Sequence, residues 1–185
     1  MSGRRREDRL RHQAGYTLIE LMVASAIGLL VMGALTSVVL TTMIGTNAAT
    51  GRVETSGQIR NFELFAYDDF ALSHPPAPSG CGTAANRCTT QPMVLSGFRM
   101  TNQTSGQAAS FTVTYSWTPA TQSVTRAIGA SRQVAAGNVT SFSWYVDTTG
   151  ARPVVVIAMT VTIAFYNTSY SQSQTLLFYP RITSP

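Results

Sequence analysis

Hydrophobic residues change their spacing twice along this chain. From Leu21 to Leu40 twenty residues run without a charge or a proline, a stretch that as a helix spans about 30 Å and is long enough to cross a bilayer. Past Gly45 the apolar positions thin to Ile59, Phe62, Ala66 and Phe70 at helical spacing. Arg52, Glu54, Arg60, Glu63 and Asp68 fall mostly on other faces. The pattern predicts one helix from Tyr16 to about Leu72, about 85 Å long. Its first part, residues 16–44, is apolar all round and suits lipid or sister helices. Its second part, 45–72, is one-sided and suits packing on a sheet of its own domain. Ser73-His74-Pro75-Pro76 ends it, because a residue before proline is driven away from helical geometry.

A loop rich in Gly, Pro and Ser follows over 73–92, and from about Met93 the apolar period becomes two. Phe111, Val113, Tyr115 and Trp117 alternate with Ser and Thr, the mark of a half-buried strand. Pro119 and its neighbours make a turn into a return strand, Gln122–Ile128. Phe142, Trp144 and Val146 mark another strand, and Asp147-Thr148-Thr149-Gly150 turns the chain into a long one over Pro153–Tyr166. There Ile157, Met159, Val161, Ile163 and Phe165 face one way, and Thr160 and Thr162 the other. Gln174–Tyr179 is the last strand. A helix followed by antiparallel strands over 93–185 is an α+β arrangement, with the helix packed on an antiparallel β-sheet head.

Charge adds a direction to this plan. The 185 residues carry a net +5, yet residues 1–15 alone hold five arginines against two acids, while the remainder holds eight against six. The excess therefore reports topology, with arginines held on the cytoplasmic side and everything after Leu40 outside it. Cys81 and Cys88, the only cysteines, lie in the loop beyond the membrane segment. In an oxidising compartment they are expected to form a local disulfide. A metal site is the rival reading, but two thiolates without a nearby histidine fall short of four ligands.

The junction between leader and helix reads Gly15-Tyr16-Thr17-Leu18-Ile19-Glu20. Glu20 stands inside the edge of the apolar segment, where a carboxylate costs about 1–3 kcal/mol unless a cation meets it. An ordinary signal peptide accounts poorly for this: the apolar run exceeds the usual 7–15 residues, roughly twofold, and no small-x-small cleavage site closes it. A twin-arginine signal fits no better, because Glu7 and Asp8 follow Arg4-Arg5-Arg6.

The stretch closely resembles the class III signal of type IV pilins and of the pseudopilins of type II secretion. The resemblance implies cleavage by prepilin peptidase between Gly15 and Tyr16, removing residues 1–15, with methylation of the new N-terminus. Tyr16 departs from the usual Phe or Met there. The resemblance also implies that Glu20 meets the N-terminal amine of a neighbouring subunit during assembly. The partners implied are other pilins or pseudopilins through the N-terminal helix, the peptidase and the inner-membrane assembly platform. The chain would sit once across the inner membrane, its N-terminus cytoplasmic and its head periplasmic, before entering a filament in the periplasm or on the cell surface. A pilin-like fold is implied with it, a membrane-spanning helix whose second half packs on the head. Ala24 and Gly28, then Gly33 and Ser37, are spaced for close helix packing and are expected inside a helix bundle.

Weaker similarity extends into the head. Thr125-Arg126, the run Asn138-Val139-Thr140-Ser141-Phe142-Ser143-Trp144-Tyr145, Gly150 and Pro153-Val154-Val155-Val156 resemble W-type minor pilins and J-type minor pseudopilins. Leu29 and Leu30 favour the W-type group. A subunit of this kind primes or caps a filament, and a tip adhesin or DNA-uptake receptor is a further possibility.

Candidate catalytic residues are sparse. His74 is the one histidine after the leader, and no G-x-S-x-G, Walker loop or G-x-G-x-x-G occurs. Asp68 and Asp69 point about 100° apart on a helix, a poor basis for paired-carboxylate catalysis or a calcium site. Tyr115, Trp117, Trp144, Tyr145, Tyr166, Tyr170 and Tyr179 mostly occupy alternating strand positions, where packing is the default. Arg126, Arg132 and Arg152 are too scattered for a nucleic-acid stripe. The sequence predicts a non-enzymatic assembly protein with no cofactor and no metal.

Overall fold

The computed structural model describes residues 17–102, 107–165 and 168–181. Helix α1 runs Leu18–Ala71. The strands that follow are β1 (Met93–Asn102), β2 (Gln107–Thr118), β3 (Ser123–Ile128), β4 (Ser131–Ala136), β5 (Val139–Asp147), β6 (Val154–Phe165) and β7 (Thr168–Phe178). The chain divides into two units, Met1–Thr46 and Asn47–Pro185.

In the first unit α1 is exposed at every described position. Ser25, Thr36, Thr41 and Thr42 each turn their hydroxyl back onto a carbonyl three or four residues earlier, at 2.8–2.9 Å. The helix thus presents apolar side chains and, at these four positions, hydroxyls whose donors are already used, a surface that hydrocarbon tolerates.

In the second unit the one-sided pattern is realised. Gly51, Thr55, Ile59, Phe62, Ala66, Asp69 and Phe70 are buried, at steps of three and four. The head beneath them holds two sheets where the strand pattern suggested one: β1-β2-β3-β4 and β5-β6-β7, every neighbouring pair antiparallel. Phe62 joins them, its ring edge-on to Tyr115 of the first sheet at 5.5 Å and to Phe142 and Phe178 of the second at 6.0 and 6.3 Å. Ile157, Met159, Val161 and Ile163 of β6 are buried, as their alternation predicts, and Phe165 is half-buried; Val155 and Val156 at the start of the strand are both buried. On the opposite face Thr160 pairs its hydroxyl with Ser173 at 2.9 Å and Thr162 with Ser171 at 2.8 Å.

The break between the sheets has a local cause. The carbonyl of Ala135 accepts from Asn61 Nδ2 at 2.9 Å, and the Gly137 N–H donates to Gln58 Oε1 at 2.7 Å. Side chains of α1 therefore satisfy the end of β4, which leaves β5 to open a second sheet. Asn138 takes a left-handed φ of 56° at the corner, a conformation asparagine tolerates. Trp117 Nε1 then donates to Val139 O at 3.0 Å, and the Thr162 N–H to Asn138 O at 2.9 Å.

Two glycines are demanded by close approach. A Cβ on Gly51 would stand 2.8 Å from Tyr170 Cβ and 2.9 Å from Phe165 Cε2, and one on Gly97 would overlap the Leu72 carbonyl. The first lets α1 lie on the β6–β7 end. The second lets the segment after the helix run along β1, where Ser73 bridges Gly97.

Candidate functional site: the start of the helix and the polar centre of the head

The helix begins with a reciprocal contact. Thr17 donates both its N–H and its hydroxyl to Glu20 Oε2, at 3.1 and 3.2 Å, and the Glu20 N–H donates to Thr17 Oγ1 at 3.3 Å. This is a capping box, which uses two side chains to satisfy donors that the first turn leaves free. The carboxylate also sits where the helix dipole favours negative charge. Thr17 is thus a partner of Glu20 besides the cation expected there, and its signal was in the sequence: Thr-x-x-Glu directly before an apolar run. Gly15 and Tyr16, the expected cleavage junction, lie outside the described residues.

Gly28 and Gly33 have open space where a side chain would stand, and Ala24 and Ser37 are exposed. The four do not make one face. Nine residues separate Ala24 from Gly33, half a turn about the axis at 100° per residue, so the two pairs occupy opposite sides of α1.

Asp69 is the buried charge that spacing arguments missed. It has no exposed surface and lies on the core stripe, three residues beyond Ala66 and seven beyond Phe62. Arg126 of β3 grips it with Nε to Oδ2 at 2.6 Å and Nη2 to Oδ1 at 2.7 Å; the Tyr115 hydroxyl donates to Oδ2 at 2.7 Å. Arg99 adds a looser contact at 3.8 Å. Burial pushes the Tyr115 phenol far above its ordinary range, and its hydrogen bond to Asp69 adds to this. The bond to Asp69 likewise raises Arg126. A phenol held protonated and a guanidinium locked to a carboxylate hold the helix on the sheet, and neither group is poised to transfer a proton. The signal for this pairing was a carboxylate on an otherwise apolar stripe, which burial allows only with a partner.

The remaining candidates stay apart. His74 packs edge-on to Phe98 at 6.5 Å. Asp68 is exposed, while the Asp147 carboxylate is lowered by hydrogen bonds from Thr149, side chain and then backbone. Arg52, Arg87, Arg99 and Arg126 each lie over an aromatic ring, at 5.1–5.9 Å from its centre. Tyr115 and Trp144 are core, Trp117 is half-buried, and Tyr166 lies outside the described residues. Among the described residues no three His, Cys, Asp or Glu side chains come together to hold a metal ion. Cys81 and Cys88 are joined, their Cα atoms 5.2 Å apart. The loop they close is stitched to β5 by two Cys88–Trp144 backbone bonds of 2.9 Å.

Comparison with known families agrees with the start of the helix. Residues 10–36 match the Prokaryotic N-terminal methylation motif. No curated protein and no solved structure matches the chain. The matched motif is a class III prepilin signal and indicates a type IV pilin-like substrate of prepilin peptidase. The helix and two antiparallel sheets make an α+β, pilin-like arrangement, and the apolar helix behind such a signal fits membrane anchoring.

Proposed function

We propose that the chain is a minor pilin, a non-enzymatic filament subunit that primes or caps a type IV pilus. The observation that carries this reading is the methylation motif at 10–36 running straight into α1, whose apolar half is exposed along its whole described length. Prepilin peptidase cuts after Gly15, and the helix then leaves the inner membrane to join other subunits. Small residues on opposite sides of α1 suit a helix lying between two neighbours. The capping box already engages Oε2 of Glu20, so the amine of a neighbouring subunit would meet a carboxylate that is held in place. The seven strands among the described residues favour the tip, where a bulky domain has room. The sequence blocks from Thr125-Arg126 to Pro153–Val156 carry a second reading, a J-type minor pseudopilin of type II secretion.

Intact mass of the membrane-extracted protein, with and without the peptidase, tests the processing. A mature chain starting at Tyr16, with or without one methyl group, supports the proposal; a retained leader in the presence of the peptidase overturns it. Deletion of the gene then separates the two readings, by loss of pili in one case and of protein secretion in the other.

A further inference from the structure

The outer edge of a sheet offers unpaired N–H and C=O groups, a template for another strand unless something blunts it. Among the described residues, three of the four sheet edges are blunted by the chain itself. β1 is flanked by Leu72–His74, through Phe98 N–H to Leu72 O at 3.3 Å and His74 N–H to Ser96 O at 2.8 Å. β5 is flanked by the disulfide loop, through the Cys88–Trp144 pair and Val146 N–H to Gly82 O at 3.0 Å. β4 is six residues long, carries Arg132, shifts register between Val124 and Thr125 of its neighbour, and is capped at its end by Asn61 and Gln58.

β7 has none of these devices. It runs eleven residues in unbroken register with β6, without a charge or a proline. Among the described residues no hydrogen bond reaches the backbone of its outer edge. Beside that edge lies a groove of about 700 Å³, walled by Arg60, Glu63, Leu64, Tyr67 and Asp68 of α1 and by the end of β7. Leu64, Tyr67 and Leu177 stand 74, 64 and 54% exposed along it. An open strand edge and an apolar trough thus coincide.

We infer that this edge takes the same strand of a second copy, β7 against β7 antiparallel, joining two three-stranded sheets across a two-fold axis. The charges select this occupant. A strand paired antiparallel with its own copy sets like residues opposite each other near the axis, where like charges would repel; β7 has no charge to repel. The groove wall carries Arg60 together with Glu63 and Asp68, both signs on one surface, so each copy brings the complement of the other. The other three edges of the second copy are already blunted. An isologous contact of this kind closes at two.

The test uses the full chain in membranes or mild detergent. Ser169, Ser171, Ser173 and Thr175 share one face of β7 and are changed to Cys one at a time; the native cysteines are already joined to each other. Oxidation is expected to give a linked product of twice the chain mass, with a yield that peaks at one position and falls on either side. Thr112→Cys on the other sheet gives none. Glu in place of Cys at the peak position (Ser173→Glu if the peak is at Ser173) cuts the two-copy mass in mild detergent by about tenfold or more, since like charges meet there, and mixing it with the Arg variant of the same position restores it. No linked product, or equal yields at every position including Thr112, overturns the inference. A linked product of any other mass shows a foreign strand on β7 and overturns the assignment to a second copy.

Discussion

Arg126 of β3 holds Asp69 of α1 with two hydrogen bonds, 2.6 and 2.7 Å, and the carboxylate it holds has no exposed surface. The contact is the one ion pair with a fully fitted geometry between helix and sheet among the described residues. A buried pair contributes little net stability, because desolvating both charges offsets their attraction, but removing one partner strands the other. Arg126→Ala is therefore expected to destabilise the head by about 3 kcal/mol, the low end of the range because Tyr115 and Arg99 remain near the carboxylate. Denaturant unfolding measures it. In a double change with Asp69→Asn the cost should fall well short of the sum.

Tyr115 makes the same centre sensitive to alkali. Its folded phenol is raised above the ordinary 10.0, by burial first and by Asp69 second. Above that value the unfolded chain gives up the proton while the folded chain keeps it, so the unfolded state binds fewer protons. The contribution is fully present below pH 10 and declines as pH rises, by up to about 1.4 kcal/mol per pH unit. Unfolding midpoints from about pH 9 to pH 11 should show this decline, and Tyr115→Phe should flatten it.

Reducing Cys81–Cys88 should loosen the loop that covers β5. Closing so short a loop is worth about 2–3 kcal/mol by chain entropy. Reduction and alkylation are expected to lower the unfolding free energy by that amount. Amide exchange should rise at Cys88, Trp144 and Val146, whose backbone bonds join the loop to the strand.

Thr17 and Glu20 can be separated by substitution. Thr17→Val removes the cap, about 1 kcal/mol of helix stability, and keeps the carboxylate; processing and filament entry should persist. Glu20→Ala should leave processing intact and block entry. Fractionation of membranes and sheared filaments reads both, and a Thr17→Val chain that fails as completely as Glu20→Ala would show that the cap, not the charge, is what assembly needs.

Some of this was legible from residues alone. The apolar run, the leader junction and the methylation motif are local in sequence, and their physics needs no fold: a stretch of this length and hydropathy suits a bilayer whatever follows it. The alternation from Ile157 to Ile163 likewise states which face of β6 is buried, because a strand has only two faces. Even the Thr17–Glu20 cap was there to be read at a spacing of three.

What the sequence could not decide lay in contacts between distant segments. Asp69 and Arg126 are 57 residues apart, and nothing in their spacing says that β3 passes under the last turns of the helix. The division into two sheets depends on Gln58 and Asn61 taking the backbone groups at the end of β4, bonds that span more than seventy residues. Which strand edge stays open depends in turn on where the helix exit and the disulfide loop are laid down. Local pattern determined the helix and the alternating strands, while β4 and the first half of β7 carried no signal strong enough to mark them. Only the packed head decided which backbone groups were left over, because hydrogen-bond satisfaction is settled by every neighbour at once.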